Sequence, residues 1–145
     1  RAVVVVGPPF GAEVAAHGGA LGLAIVENAA PERGMASSIA LGFGALLELE
    51  LDEAWLWPVD HPEVQVETLY AVRAAIGTHA AARPVCEGHG GHPPLIRRAL
   101  FAALGRCEAE LAGARSVLAR ADMIDVPVSD RGTIRDIDTV DDEVP

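Results

Sequence analysis

The stretch that most constrains this chain is Ala54-Trp55-Leu56-Trp57-Pro58-Val59-Asp60-His61-Pro62, an apolar run that stops at an aspartate and a proline. Large apolar residues in near-unbroken succession suit a strand covered on both faces, whereas a half-exposed strand would alternate with polar residues. In open α/β sheets, ligands bind outside the carboxyl ends of such strands. Asp60 occupies that end. A carboxylate there can hold a hard divalent cation, which takes one or two carboxylates and completes its shell with water and substrate oxygens. It can equally cap the helix that follows, with Pro62 in the first turn. On this stretch alone both roles stand open.

Around that run, strand and helix signals alternate. Val3 to Val6 reads as a buried strand entering the turn Gly7-Pro8-Pro9, with a short helix over Gly11 to His17 and a second strand over Leu23 to Val26. A helix is expected from about Ser37 to Leu49, capped by Ser37 or Ser38, because Ile39, Phe43, Leu46 and Leu47 share one helical face. After the Trp55 strand, a helix over Glu63 to Ile76 ends at Gly77, followed by a weak strand over Ala81 to Val85. Helices near Arg97 to Leu104 and Ala114 to Ala121 precede a last strand, Ile124 to Val128. This order predicts an α/β domain of right-handed βαβ units with a mostly parallel sheet, one domain over residues 1–145.

Charge narrows the function. The chain carries eleven arginines, no lysine and a formal net charge of −10. With the arginines scattered, no basic face exists for a nucleic-acid backbone. Eight carboxylates fall between Asp122 and Glu143, read by default as a solvated acidic segment. Half the residues are hydrophobic, yet no apolar stretch approaches the ~18 residues of a membrane helix. No signal peptide is visible, and Cys86 and Cys107 match no metal or redox spacing, so a cytoplasmic protein with free thiols is expected.

Three constellations can carry chemistry. In Asn28-x-x-Pro31-x-x-Gly34-Met35-x-Ser37-Ser38, a strand-to-helix loop offers backbone N–H groups and hydroxyls to an anion or a base edge, or simply caps the helix. Gly88-His89-Gly90-Gly91-His92-Pro93 reads as a glycine-rich loop over a substrate; its two histidines with His61 form an incomplete zinc set. In Asp130-Arg131-Gly132-Thr133-Ile134-Arg135-Asp136-Ile137-Asp138-Thr139, extended backbone would point Asp136 and Asp138 the same way, with Ile137 turned inward. With Asp60 they could share one Mg²⁺; the alternative is a solvated acidic turn.

Taken in order, the loop from Asn28 through Gly42, Asp60-His61-Pro62, Gly91-His92-Pro93, Gly113-Ala114-Arg115 and Asp136-Ile137-Asp138-Thr139-x-Asp141-Asp142 resemble the MobA-like nucleotidyltransferases. That family includes the enzymes that attach CMP or GMP to molybdopterin. The resemblance implies a Rossmann-like three-layer sandwich of the nucleotide-diphospho-sugar transferase type, in which an acceptor phosphate attacks the α-phosphorus of CTP or GTP and releases pyrophosphate. It further implies Mg²⁺ on Asp60 and the Asp136/Asp138 segment, with Asn28, Gly34, Ser37 and Ser38 along the nucleotide. Gly91 and His92 would face a phosphorylated small-molecule acceptor. A second copy of the chain, or a molybdoenzyme-related protein, is the expected protein partner.

Glu63 and Val140 depart mildly from the family pattern. The larger departure lies upstream: the family opens with a strand and a Leu-Ala-Ala-Gly-x-Ser-x-Arg-Met-Gly-x-x-Lys loop, and nothing here matches it. The Val3 strand resembles the family's second, so an N-terminally incomplete domain is expected, short by roughly 30 to 40 residues on the usual size of such a unit. Two other readings follow from the gap: a shortened, non-catalytic relative that binds a nucleotide or a partner, and a sugar-phosphate nucleotidyltransferase.

Overall fold

A computed structural model describes residues 1–138; Thr139, Val140, Asp141, Asp142 and Glu143, which the sequence reading included in its last motif and acidic segment, lie outside the described residues. The described residues pack as two compact units, each assembled from two chain segments: residues 1–51 with 98–120, and residues 52–97 with 121–138.

The first unit begins as a βαβ crossover. Strand β1 (Val3–Val6) runs parallel to β2 (Ala24–Glu27), in a register that sets Val3 opposite Ala24 and Val6 opposite Glu27. Helix α1 (Gly11–Ala20) links them and runs three residues beyond the expected end at His17. Buried Gly18 lets α1 lie close to β2, since a Cβ there would fall 2.7 Å from Ile25 Cδ1. Helix α2 (Met35–Leu47) follows a 3-10 turn at Pro31–Arg33. Its apolar face buries Phe43 edge-on against Phe101, with ring centroids 5.3 Å apart. Phe101 belongs to the short α4 (Phe101–Leu104), and α5 (Ala114–Ala119) completes the unit. At the end of α2 the Arg98 guanidinium donates to the carbonyl of Leu47, in the helix's last turn, and to those of Leu49 and Leu51 just beyond it.

The second unit is organised by β4 (Ala81–Cys86), the strand with the weakest sequence signal. Ala81 and Ala82 are fully buried in it, because small residues allow close packing on both faces. Its sheet also holds β3 (Glu53–Trp55), the two-residue β5 (His89–Gly90), β6 (Leu95–Arg97) and β7 (Met123–Pro127). Only the β4–β7 pairing is parallel; β3–β6, β4–β6 and β4–β5 are antiparallel. The expectation of a mostly parallel sheet therefore does not describe this five-stranded sheet. The cause is local: the chain reverses at Glu87-Gly88, where both residues have φ above zero, and β5 pairs back onto β4 across that two-residue turn. Helix α3 (Val66–Ala75) packs Val72 into a core of Ile76, Ala82, Leu95 and Val126, lined by Trp55 and Ile124.

The Trp55 run is a strand for only part of its length. β3 stops at Trp55, Trp57 is 42% exposed and Val59 93% exposed. Pro58 has no N–H to give a ladder, so the run leaves the sheet and turns back on itself, with the Trp57 indole donating to the His61 carbonyl at 2.9 Å.

Candidate functional site

Asp60 lies in that turn. Its backbone carbonyl accepts from Ile137 N at 2.8 Å, which ties the segment carrying Asp136 and Asp138 beside it. Asp136 and Asp138 are exposed and Ile137 is half-buried between them, the alternation expected of extended chain. Asp60 does not cap α3. The helix starts after Gln65, whose N–H is taken by the Asp130 carboxylate at 2.8 Å.

Asp130 is the anchor of this segment. Its two carboxylate oxygens accept from Gln65 N, from Thr68 Oγ1 at 2.7 Å and from Gly132 N at 2.9 Å, and it is only 5% exposed. Its carbonyl accepts from the Thr133 hydroxyl at 2.8 Å. Gly132 packs onto the Glu63 carbonyl with no room for a side chain, and Arg135 pairs with Glu63 at 3.0 Å. For Asp130, therefore, the solvated-turn alternative fails.

The glycine-rich loop meets the same segment. His92 N donates to the Thr133 carbonyl at 2.7 Å, and a Cβ on Gly91 would stand 2.6 Å from that oxygen. Gly91 is thus a residue whose missing side chain lets two loops touch. Between them lies a cleft of about 440 Å³ lined by His61, Glu87, His89, Gly90, His92, Thr133, Ile134 and Asp136. The His61 and His92 rings stand 4.8 Å apart, tilted by 36°. Burial pushes the His92 imidazole below its ordinary pKa; the His61 ring and Arg83 push the same way, while Asp60 pulls it up.

Among the described residues, three buried side-chain atoms lack a hydrogen-bond partner: Asp60 Oδ1, His61 Nδ1 and His92 Nδ1. Buried polar groups are nearly always paired, so these three atoms, on the adjacent Asp60 and His61 and on His92 beside the His61 ring, make this corner of the second unit the candidate site. No three His, Cys, Asp or Glu side chains of the described residues converge tightly enough to enclose a metal ion by themselves, which leaves the zinc set incomplete. Asp60 instead fits an open site, where one carboxylate shares a hard cation with water and substrate oxygens.

In the first unit the structure brings Asn28, Gly34, Ser37 and Ser38 together. Asn28 is buried; its Nδ2 donates to Ser37 Oγ at 2.8 Å and Ser38 Oγ at 3.0 Å, and its Oδ1 accepts from Ala30 N. Ser37 donates onward to the Gly34 carbonyl. The sequence reading expected Ser37 or Ser38 as the N-cap, and neither is. The cap is Gly34 at φ 90°, backbone that strongly favours glycine, and the serines fall inside the first turns of α2. A separate cleft of about 370 Å³ in this unit is lined by Gly7, Pro8, Pro9 and Gly11 below Ile25, Glu27 and Ala29.

Sequence reasoning placed His92 at the site and left His61 only as a spare metal ligand. It did not single out Glu87, Thr133 or Ile134. The adjacency of His61 to Asp60 was the available signal; Thr133 gave none, because its role depends on Gly91, 42 residues away.

Comparison with known proteins decides the family. The model of the MobA-like NTP transferase domain matches residues 1–126. The chain belongs to this family. Among solved structures it is similar to Rv0371c from Mycobacterium tuberculosis H37Rv, at TM-score 0.72 and 22% identity over 97% of this chain and 71% of that one. A structure of Rv0371c in complex with manganese gives 0.69 and 19%, over 97% and 73%. The molybdopterin-guanine dinucleotide biosynthesis protein A of Archaeoglobus fulgidus gives 0.63 and 15%, over 95% and 73%. At these identities the likeness establishes the fold. No curated protein matches the chain. Membership of an NTP transferase family makes a nucleotide the substrate class, and no helix of the described residues is long and apolar enough to cross a membrane.

Proposed function

We propose that this domain transfers CMP or GMP from CTP or GTP, with Mg²⁺, to the phosphate of molybdopterin or a similar small molecule, releasing pyrophosphate. The observation that carries the reading is the buried, unpartnered Oδ1 of Asp60, whose backbone carbonyl holds Ile137 N and with it the segment bearing Asp136, a residue of the cleft wall. Asp60 would hold the cation, with Asp136 or Asp138 as the second carboxylate. When bound, Mg²⁺ offsets phosphate charge and orients the α-phosphorus.

The chain's own residues do the rest by placement. Ile137 N fixes the acidic segment against Asp60, Asp130 fixes that segment against α3, and Gly91 sets His92 at the cleft wall, where the acceptor would lie. Asn28, Gly34, Ser37 and Ser38 form a loop pre-shaped by its own hydrogen bonds, the rigid support that a nucleotide contact needs. No nucleophilic side chain is required, since catalysis of this kind is positioning and charge neutralisation. The manganese complex of Rv0371c and the named role of the Archaeoglobus protein support the divalent ion and the pterin acceptor.

The test is pyrophosphate release by the full-length gene product with Mg²⁺, CTP or GTP, and molybdopterin. Release should require both metal and acceptor, and Asp60→Asn should lower it by about a hundredfold or more, the scale of losing one preorganised electrostatic contact. Release unchanged by Asp60→Asn would overturn the assignment.

A further inference from the structure

Beyond β7 the chain has no ladder to hold it. Residues 128–138 contain one 3-10 turn, Arg131–Thr133, and otherwise neither helix nor strand, yet they bring Asp136 to the cleft wall and Ile137 to the Asp60 carbonyl. Their position therefore depends on discrete contacts. Two are backbone bonds, from His92 N to the Thr133 carbonyl at 2.7 Å and from Ile137 N to the Asp60 carbonyl at 2.8 Å. A third is the exposed pair of Arg135 with Glu63, a kind of contact that holds little in water. The buried side-chain anchor is Asp130, whose carboxylate accepts from Gln65 N and Thr68 Oγ1 at the start of α3 and from Gly132 N within the segment. A buried carboxylate is secure only while all its hydrogen bonds are made. Of its three donors, two are backbone groups, and Thr68 supplies the one side chain. Thr68 is itself buried, lines neither cleft and belongs to none of the sequence motifs.

We infer that Thr68 and Asp130 are positioning residues for the cation site: their buried hydrogen bond holds the acidic segment in place beside Asp60 and so sets how tightly a divalent ion binds. This rests on the reading of Asp60 as a metal ligand and deepens it, because it puts control of the affinity at the start of α3. The physical reason is the tolerance of such a site. Ligating carboxylates must be held within about 0.5 Å of their working positions. The apparent affinity then falls with the fraction of molecules in which the segment is in place.

The experiment titrates Mn²⁺ alone into the full-length protein and follows the free-ion signal by electron paramagnetic resonance. Thr68→Val keeps the shape and removes the hydroxyl; it should weaken Mn²⁺ binding by at least about threefold, since one hydrogen bond to a charged group is worth up to about tenfold. Thr68→Ser restores the hydroxyl and should bind within about twofold of wild type. The Ile137 amide should exchange its hydrogen faster in the Val variant and at the wild-type rate in the Ser variant. Val72→Ala loosens the core on the same helix without touching Asp130, so it should lower the thermal midpoint while leaving Mn²⁺ affinity within about twofold. A smaller loss in Thr68→Val, or an equal loss in Val72→Ala, would overturn the inference by reducing Thr68 to a stabilising residue. Asp60→Asn separates the two levels. Mn²⁺ binding that needs Asp60 but ignores Thr68 sinks this inference alone, and wild type that binds no Mn²⁺, or binds it equally well in Asp60→Asn, sinks the reading beneath it.

Discussion

Removing the Asp130 carboxylate should be the most damaging single change to the second unit. The group accepts from Gln65 N, Thr68 Oγ1 and Gly132 N at 2.7–2.9 Å, and Thr68 is itself only 5% exposed. Hydrogen bonds to a charged acceptor are worth about 1.5 kcal/mol each at the low end, so losing three costs about 4.5 kcal/mol in Asp130→Ala. For a chain of this size, 1 kcal/mol corresponds to roughly 3–4 °C in the thermal midpoint, giving a drop of about 14–18 °C. Thr68→Val removes one partner and should cost about 1 kcal/mol. The double variant should then fall short of the sum, because the Thr68 bond is already gone in Asp130→Ala. Differential scanning calorimetry reads all three. A drop below about 3 °C for Asp130→Ala would refute the reasoning, since it is smaller than one such bond is worth.

Other consequences are more local. Gly91→Ala places a Cβ 2.6 Å from the Thr133 carbonyl, a backbone atom that cannot swing aside, and should cost about 2 kcal/mol in urea denaturation as overpacking does. Gly18→Ala meets the flexible end of Ile25 at 2.7 Å and gains helix propensity, so its unfolding free energy should change by less than about 1 kcal/mol. Burial pushes the Cys107 thiol above its ordinary value near 9.0, so the folded thiol stays neutral where the unfolded one ionises. The stability it contributes is present below that value and lost as pH rises above it. Wild type should therefore lose more stability than Cys107→Ala between pH 8 and 10, and native Cys86 and Cys107, both buried, should resist a thiol reagent at pH 8.

What was legible in the sequence is what local pattern determines. β1, β2, β7 and α5 lie within a residue or two of their expected bounds, because the strands are short, mainly apolar runs and α5 starts directly after Gly113. β6 was missed: its three residues follow Pro93-Pro94 directly, and it is a strand only because β3 and β4 lie on either side. The same holds at the site. Asp60 was picked out as the end of an apolar run and Gly91 and His92 as part of a glycine-rich loop, although β3 itself ends at Trp55 and Asp60 lies in the turn beyond it. Asp130 read as one carboxylate in an acidic run, since its partners Gln65 and Thr68 are more than 60 residues away in the chain. Ser37 and Ser38 had the composition of a cap, but Gly34 at φ 90° already starts the helix, and the serines bind Asn28 instead.

The central claim is that Asp60 holds a divalent ion through which this domain takes a nucleoside triphosphate. Calorimetric titration of CTP and GTP into the full-length protein tests it most directly, with Mg²⁺ or with the metal chelated, for wild type and Asp60→Asn. The account predicts saturable binding of one of the two nucleotides that needs the metal and disappears in Asp60→Asn, while the thermal midpoint of that variant moves by no more than a few degrees. Binding equally strong without metal, or undiminished in Asp60→Asn, would contradict it.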